Sequence, residues 1–279
     1  MKNNIGILGG GFGLYGYLPA FLNQGYEIYT LEKYKETLKN REDICHFANK
    51  VTFLSNEKEL IKNVNNLVIA RNPKSQYETL KKYDITKLDF LFLEKPLARN
   101  LEEYKELINL LNIKNKNYAI FYSLTYLDWY KSLVESLQVQ NNNNYEINWG
   151  VNLNNKGWKI NEIEGGGLIK YYFIHFIPMI IFSNLEIKSI KNNTNKLCVS
   201  LKNNKSNTLT VNISKNKNLN FEIKKNGIRI LKHINPFLEE IIPLKKDPRI
   251  KIIEKYITDK NVGNLNDENQ FFNCLSRLI

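Results

Sequence analysis

The chain has 279 residues, 43% of them hydrophobic, enough to bury an ordinary core and too apolar for a disordered chain. Its formal charge is +12, from 40 Lys and Arg against 28 Asp and Glu. The excess is mostly lysine spread along the chain, with no arginine-rich helix and no aromatic-basic signature, so nucleic acid is excluded as the expected partner and an anionic small molecule is favoured.

The first element is a short apolar run, Ile5, Ile7 and Leu8, which meets the glycines Gly9, Gly10, Gly11 and Gly13 and then a helix-compatible segment beginning near Phe12. That is the layout of the first strand, tight turn and first helix of a dinucleotide-binding unit. Gly9 permits the sharp turn, and Gly11 lets the backbone approach a pyrophosphate held at the helix start. The third glycine of G-x-G-x-x-G is replaced by Leu14, with Gly13 one place early. Alone, the cluster also fits a glycine-rich turn that holds no ligand. A second strand, Glu27 to Leu31, ends at Glu32. An acid there accepts hydrogen bonds from an adenosine ribose and repels a 2′-phosphate, which tilts the choice toward NAD over NADP; Lys33, directly after it, works against that tilt.

Tyr34 to Asn49 has helical character. Strands follow at Val51–Leu54 and Leu67–Ala70, the latter apolar throughout as a strand covered on both faces should be, and at Leu88–Leu93 and Tyr118–Tyr122. Helices are expected over Asn56–Lys62, with Ser55 as N-cap, over Ser75–Tyr83, and after Asn100 as N-cap. The alternation predicts a doubly wound parallel sheet in an α/β domain spanning residues 1–121. The remainder, 122–279, reads as an α+β domain with a mainly antiparallel sheet. Leu127–Gln138 is helical, four asparagines (Asn141–Asn144) mark a turn, and Tyr145–Leu153 is a strand. Gly165–Gly167 precede a helix over Leu168–Phe182. Short alternating runs between Leu185 and Leu231 predict an antiparallel meander, and Arg249–Ile257 and Asp267–Leu278 are closing helices.

Cys45, Cys198 and Cys274, like His46, His175 and His233, are scattered without metal-ligand spacing, so no metal site is expected. The most apolar stretch, Tyr171–Phe182, is too short to span a bilayer. The N-terminus lacks the layout of a signal peptide. The expectation is a cytoplasmic protein without a membrane partner.

Four stretches, in order, carry a family resemblance: IGILGGGFGLYGYLPAF (Ile5–Phe21), LVIARNP (Leu67–Pro73), LFLEKPLARN (Leu91–Asn100) and GWKINEIEGGGLIKYYFIH (Gly157–His175). The chain resembles the Gfo/Idh/MocA oxidoreductases, the group that includes glucose–fructose oxidoreductase and the inositol dehydrogenases. The resemblance implies a Rossmann domain and reversible hydride transfer between NAD(P) and a hydroxyl or keto carbon of a sugar or nucleotide sugar. It also implies a homodimer or homotetramer. Glu94-Lys95-Pro96 ends a central strand, at the edge where ligands bind in such sheets. Lys95 matches the family's active-site lysine, which hydrogen-bonds the reacting oxygen, and Glu94 lies beside it on the cofactor side. His175 matches the histidine that serves as general base.

Several positions depart from the family pattern. The aspartate usual four residues before His175 is Tyr171, which donates a hydrogen bond but brings no negative charge, and the small residue between them is Phe173. Lys159 stands where relatives carry a basic substrate contact. Arg71 and Asn72 replace a Thr-Pro pair, with Arg71 in reach of a cofactor phosphate or an anionic substrate. Gln76 and Tyr17 each replace a histidine. Lys95, Tyr171 and His175 then form a modified catalytic set, with Lys95, Lys159, Tyr171 and His175 toward the substrate. The cofactor falls to Gly9, Gly10, Gly11, Phe12, Gly13, Leu14, Glu32, Arg71, Asn72, Glu94 and Lys95. The Tyr171 change leaves open a non-catalytic dinucleotide-binding protein of the same fold. An enzyme of this fold acting on an imine or a tetrapyrrole-like ketone also stays open.

Overall fold

Strand β1 (Asn4–Leu8) sits at the centre of a parallel sheet because Ile5, Ile7 and Leu8 are all fully buried. A computed structural model describes residues 3–152, 157–216, 218–238, 247–259 and 268–278. Around β1 the chain alternates strand and helix. It runs α1 (Leu18–Asn23), β2 (Glu27–Leu31), α2 (Lys35–Lys39), β3 (Val51–Leu54), α3 (Glu57–Asn63) and β4 (Asn66–Ile69). There follow α4 (Pro73–Lys82), β5 (Phe90–Glu94), α5 (Leu101–Ile113) and β6 (Tyr118–Phe121). The strand order is β3-β2-β1-β4-β5-β6, parallel throughout. The order reverses between β1 and β4, so the glycines after β1 lie at the topological switch point, where open α/β sheets bind ligands.

Three asparagines start helices here by accepting a backbone N–H: Asn56 from Glu59 (2.9 Å), Asn72 from Ser75 (2.8 Å) and Asn100 from Glu103 (2.9 Å). Each such cap is worth about 1 kcal/mol. The cap of α3 is therefore Asn56 and not Ser55; the Ser55 hydroxyl and N–H instead both bond the Glu59 carboxylate, which turns back over the helix start. The segment expected to be helical from Tyr34 to Asn49 is broken into 3₁₀ turns flanking the short α2.

The second unit opens with α6 (Asp128–Gln138) and β7 (Asn144–Val151). Leu153, expected to end that strand, lies outside the described residues. The expected helix over Leu168–Phe182 is three pieces: a wide π turn (Leu168–Tyr172), a 3₁₀ turn (Phe173–Phe176) and α7 (Ile177–Phe182). Pro178, at the start of α7, cannot donate a helical hydrogen bond, which favours a break there. The strands β8 (Leu185–Asn192), β9 (Lys196–Asn203), β10 (Thr208–Lys215), β11 (Asn220–Lys225) and β12 (Ile228–His233) complete a sheet of order β12-β11-β7-β10-β9-β8. The sheet is not the meander the spacing predicts, because β7 inserts between two hairpin groups and pairs parallel with β10. The pairing of β11 with the end of β7 is tight: Gly150 faces Asn220, and a Cβ on Gly150 would lie 1.9 Å from the Asn220 side-chain oxygen. Inward residues such as Trp149, Val199, Val211 and Phe221 are buried, and Trp129 of α6 packs on Phe221.

The asparagine run is structural. Asn207 donates to the Leu137 and Val139 carbonyls at the end of α6 (3.0 and 2.6 Å) and accepts from the Asn143 N–H (2.9 Å), while Asn226 donates to Asn143 (3.0 Å). The three bonds of Asn207 pair backbone groups that secondary structure leaves open.

Helix α8 (Arg249–Thr258) belongs to the first unit and not to the second. The two units comprise Met1–Ser123 with Ile242–Asn264, and Leu124–Ile241 with Leu265–Ile279. Ile252, Ile253 and Tyr256 are buried, Tyr256 donates to the Ala119 carbonyl (2.7 Å), and Asn23 donates to Glu254 (2.7 Å). Helix α9 (Glu268–Leu278) closes the second unit with Phe271 and Leu275 buried; Asp267, expected to begin it, is outside the described residues. Glu162–Phe182 is long and apolar enough to cross a membrane by length and composition alone, and two-thirds of its apolar window is buried inside the protein.

Candidate functional site

The turn after β1 is built on contacts only glycine allows. Gly9 has φ +155°, and a Cβ there would lie 2.2 Å from the Ala70 carbonyl oxygen at the end of β4. A Cβ on Gly10 would meet the Tyr34 ring at 2.9 Å, whereas Gly11 faces open space with nothing within 4 Å. Gly9 thus serves the fold, and Gly11 leaves backbone open to a ligand. The Gly11 carbonyl accepts from Leu14 N–H (2.9 Å) as the chain turns into a wide π turn over Gly13–Tyr17. Gly13 opens that turn close against the sheet, where a Cβ would lie 3.1 Å from the Ile7 side chain and 3.4 Å from the Ala70 Cβ. Leu14 is fully buried and fills core where the motif's third glycine would stand.

Beside Gly9 and Gly10 lies a cavity of about 410 Å³, lined also by Lys33, Tyr34, Glu57, Arg71 and Asn72. These come from the carboxyl ends of β1, β2, β3 and β4. Arg71 donates to Glu57 (2.6 Å) and to Thr79 (2.9 Å), and the Lys33 ammonium stands 3.7 Å from the same Glu57 oxygen. Burial opposes the charge on Arg71, but the hydrogen bond and charge of Glu57 outweigh it and raise the guanidinium pKa. The Arg71 hydrogen bond in turn holds the Glu57 pKa below its ordinary value. Glu32 is exposed at the start of a 3₁₀ turn; the residues lining the cavity from this strand end are Lys33 and Tyr34. Asn72 spends its side chain capping α4.

At the end of β5 the Glu94 carboxylate accepts from Tyr17 (2.7 Å). Withdrawal from water pushes the Glu94 pKa from 4.5 up to about 7, against the opposing pull of the Tyr17 hydrogen bond and of the Lys95 and Arg249 charges. The Glu94-Lys95-Pro96 turn is clamped by the buried Gln76. Its amide nitrogen donates to the carbonyls of Glu94 (2.9 Å) and Leu97 (3.0 Å), and its oxygen accepts from the Glu94 N–H (3.0 Å). Phe12 of the glycine turn lies under the Arg249 guanidinium at 4.1 Å, and Tyr15 packs under Arg41 at 4.5 Å.

In the second unit Gly166 and Gly167 let the chain fold back on Trp158–Glu162. A Cβ on Gly166 would lie 2.1 Å from the Trp158 carbonyl oxygen, and one on Gly167 would lie 2.6 Å from the Glu162 side chain. This brings Tyr171 against Trp158 (ring centroids 5.3 Å) with the Lys159 ammonium 5.4 Å from the Tyr171 ring. Two of the expected substrate residues, Lys159 and Tyr171, are therefore neighbours. His175 is buried beside Trp149 and Phe237, and its backbone carbonyl accepts from Tyr130 (3.4 Å). Phe173 is core. Among the described residues no group of three or more His, Cys, Asp or Glu is placed to hold a metal ion.

Sequence reasoning missed Lys33, Tyr34 and Glu57 as cavity residues, Gln76 as the clamp, and Arg249 over the glycine turn. The replacement of a histidine by Gln76 was a signal; Arg249, far along the chain, gave none.

A parallel sheet of this order with a glycine turn at its switch point, followed by a mixed, mostly antiparallel sheet, is an arrangement this chain shares with solved structures of Gfo/Idh/MocA-type dehydrogenases. No family's sequence model matches the chain, and no curated protein sequence does. Solved structures do. The WlbA (WbpB) dehydrogenase of Thermus thermophilus, solved with NAD and UDP-GlcNAcA, matches 100% of this chain and 94% of its own, with TM-score 0.70 and 15% identity. A myo-inositol dehydrogenase of Corynebacterium glutamicum matches 99% of this chain and 94% of its own (TM-score 0.68, 12% identity). A super-repressor mutant of Gal80p from Saccharomyces cerevisiae matches 93% of this chain and 84% of its own (TM-score 0.67, 13% identity). At these identities the likeness is one of fold.

Proposed function

We propose that the protein is an NAD(P)-dependent oxidoreductase acting on a hydroxyl or keto carbon of a sugar or nucleotide sugar. The observation that carries this reading is the glycine turn at the switch point, with Gly11 open and the adjoining cavity of about 410 Å³. That volume lies in the range of small-molecule sites. Its chemistry fits the group: open glycine backbone for a diphosphate, and Lys33 and Arg71 for its adenosine end. Bound there, a nicotinamide dinucleotide would supply or accept the hydride. Support for a sugar-like substrate comes from the similar fold solved with UDP-GlcNAcA.

Lys95 hydrogen-bonds the reacting oxygen and stabilises its developing charge. His175 exchanges the hydroxyl proton, with Tyr171 as a hydrogen-bond donor in place of the family's aspartate. Lys159 contacts an anionic group of the substrate. The oligomer is a homodimer or homotetramer, which light scattering after size exclusion checks.

The experiment is a thermal shift and fluorescence titration with NAD, NADP, NADH and NADPH, followed by turnover on keto-sugar and nucleotide-sugar panels. No binding up to millimolar concentration sinks the reading. Lys95→Ala should lower turnover by at least about 10²-fold while the reduced cofactor still binds; turnover near the wild-type rate overturns the assignment of Lys95. A non-catalytic dinucleotide-binding protein is the second reading. Tyr171, packed on Trp158 where the family carries an aspartate, favours it. Cofactor binding without turnover on any panel member selects it.

A further inference from the structure

We propose that the adenosine end of the dinucleotide cavity is read by Lys33, Glu57 and Arg71 and not by Glu32, and that it accepts a 2′-phosphate, so that NADP(H) binds at least as tightly as NAD(H). The inference rests on the reading of the first unit as a dinucleotide-binding unit and decides which dinucleotide it takes.

Three observations carry it. The first is placement. Lys33 follows β2, Glu57 follows β3 and Arg71 follows β4, and all three line the cavity that continues from Gly9 and Gly10, while the exposed Glu32 is not among its walls. The acid that the sequence offers against a 2′-phosphate is thus not the acid that faces the cavity.

The second is charge. The carboxylate that does face it, Glu57, stands between two cations, at 2.6 Å from Arg71 and 3.7 Å from Lys33. Its negative charge is already matched, and the cluster keeps one positive charge in excess. A site built to exclude a phosphate presents the opposite balance.

The third is the unequal grip on the two cations. Arg71 is 13% exposed and held by both Glu57 and Thr79, so it is a fixed charge in the floor. The Lys33 side chain is 59% exposed, and at 3.7 Å it makes a charge contact with Glu57 longer than a hydrogen bond. Exposed contacts of that kind add little. Lys33 can therefore turn to a phosphate at small cost while Arg71 remains to neutralise Glu57.

The test uses the full chain. Nicotinamide fluorescence gives Kd for NADH and NADPH, and competition with ADP-ribose and 2′-phospho-ADP-ribose isolates the phosphate. The expected result is an NADPH Kd equal to or below that for NADH. Lys33→Ala should weaken NADPH about tenfold more than NADH, and Glu57→Gln should tighten NADPH about tenfold relative to NADH, with unchanged circular dichroism checking that both fold. An NADPH Kd more than threefold above that of NADH, or a Lys33→Ala effect equal on both cofactors, overturns the proposal. If neither NADH nor NADPH binds, the dinucleotide reading beneath it is overturned, which keeps the two failures apart.

Discussion

Glu94 makes the folded protein sensitive to pH in a window the structure defines. Its carboxyl is hydrogen-bonded by Tyr17 and lies in the fields of Lys95 and Arg249, yet desolvation dominates and raises its pKa to about 7 from an ordinary 4.5. Between those values the folded protein keeps a proton that the unfolded chain has lost. The contribution of Glu94 to stability is therefore fully present below about pH 4.5, is lost as pH rises through about 7, and is level above that. At about 1.4 kcal/mol per pH unit, the loss across the window is about 3 kcal/mol. Glu94→Gln keeps the shape and the acceptor for Tyr17 but removes the titration. Urea unfolding of wild type and variant, at half-unit steps from pH 4.5 to 8, should show the variant gaining about 3 kcal/mol on the wild type across that range. A difference that stays flat, or that moves toward the wild type as pH rises, refutes the reasoning, because either result means that the folded site favours the charged carboxylate. Tyr17→Phe removes one of the groups holding the pKa down and should carry the upper end of the window above 7.

The clamp and the glycine turn give further tests. Gln76→Ala removes three hydrogen bonds between a buried side chain and the backbone around Glu94-Lys95-Pro96; at about 1 kcal/mol each, it should cost about 3 kcal/mol in urea unfolding. Gly9→Ala and Gly11→Ala should part company. The first drives a Cβ to 2.2 Å from the Ala70 carbonyl oxygen and should lower the thermal midpoint by many degrees. The second meets nothing within 4 Å, so it should leave the midpoint within about a degree or two while raising the NADH Kd about tenfold or more. Equal effects of the two on stability would remove the argument that Gly11 is kept for a ligand.

The parts of the fold readable from the chain were those in which neighbours in sequence are neighbours in space. The buried strands β1, β4 and β5 and the asparagine cap of α5 are local patterns of that kind, and the glycine turn with them. Strand order in the second sheet is not local. The alternation of Tyr145–Val151 says that one face is buried, but it carries no instruction to pair β7 with β10 in parallel, a register set by two hairpins docking on either side. The same limit applies to the cavity. Glu32 is the acid at the expected spacing, yet Lys33 and Tyr34 are the residues after β2 that line the cavity, together with Glu57 and Arg71 from after two later strands. Arg249 shows the limit at its fullest. Its place over Phe12 depends on α8 packing with the first unit after the whole second sheet has been threaded, with Tyr256 bonded to Ala119. A helical pattern at Arg249–Thr258 reveals an apolar face and no address for it. The glycine turn is thus buttressed from the far end of the chain, so a truncation before Arg249 would remove the guanidinium covering Phe12 and one of the two cations that hold down the Glu94 pKa.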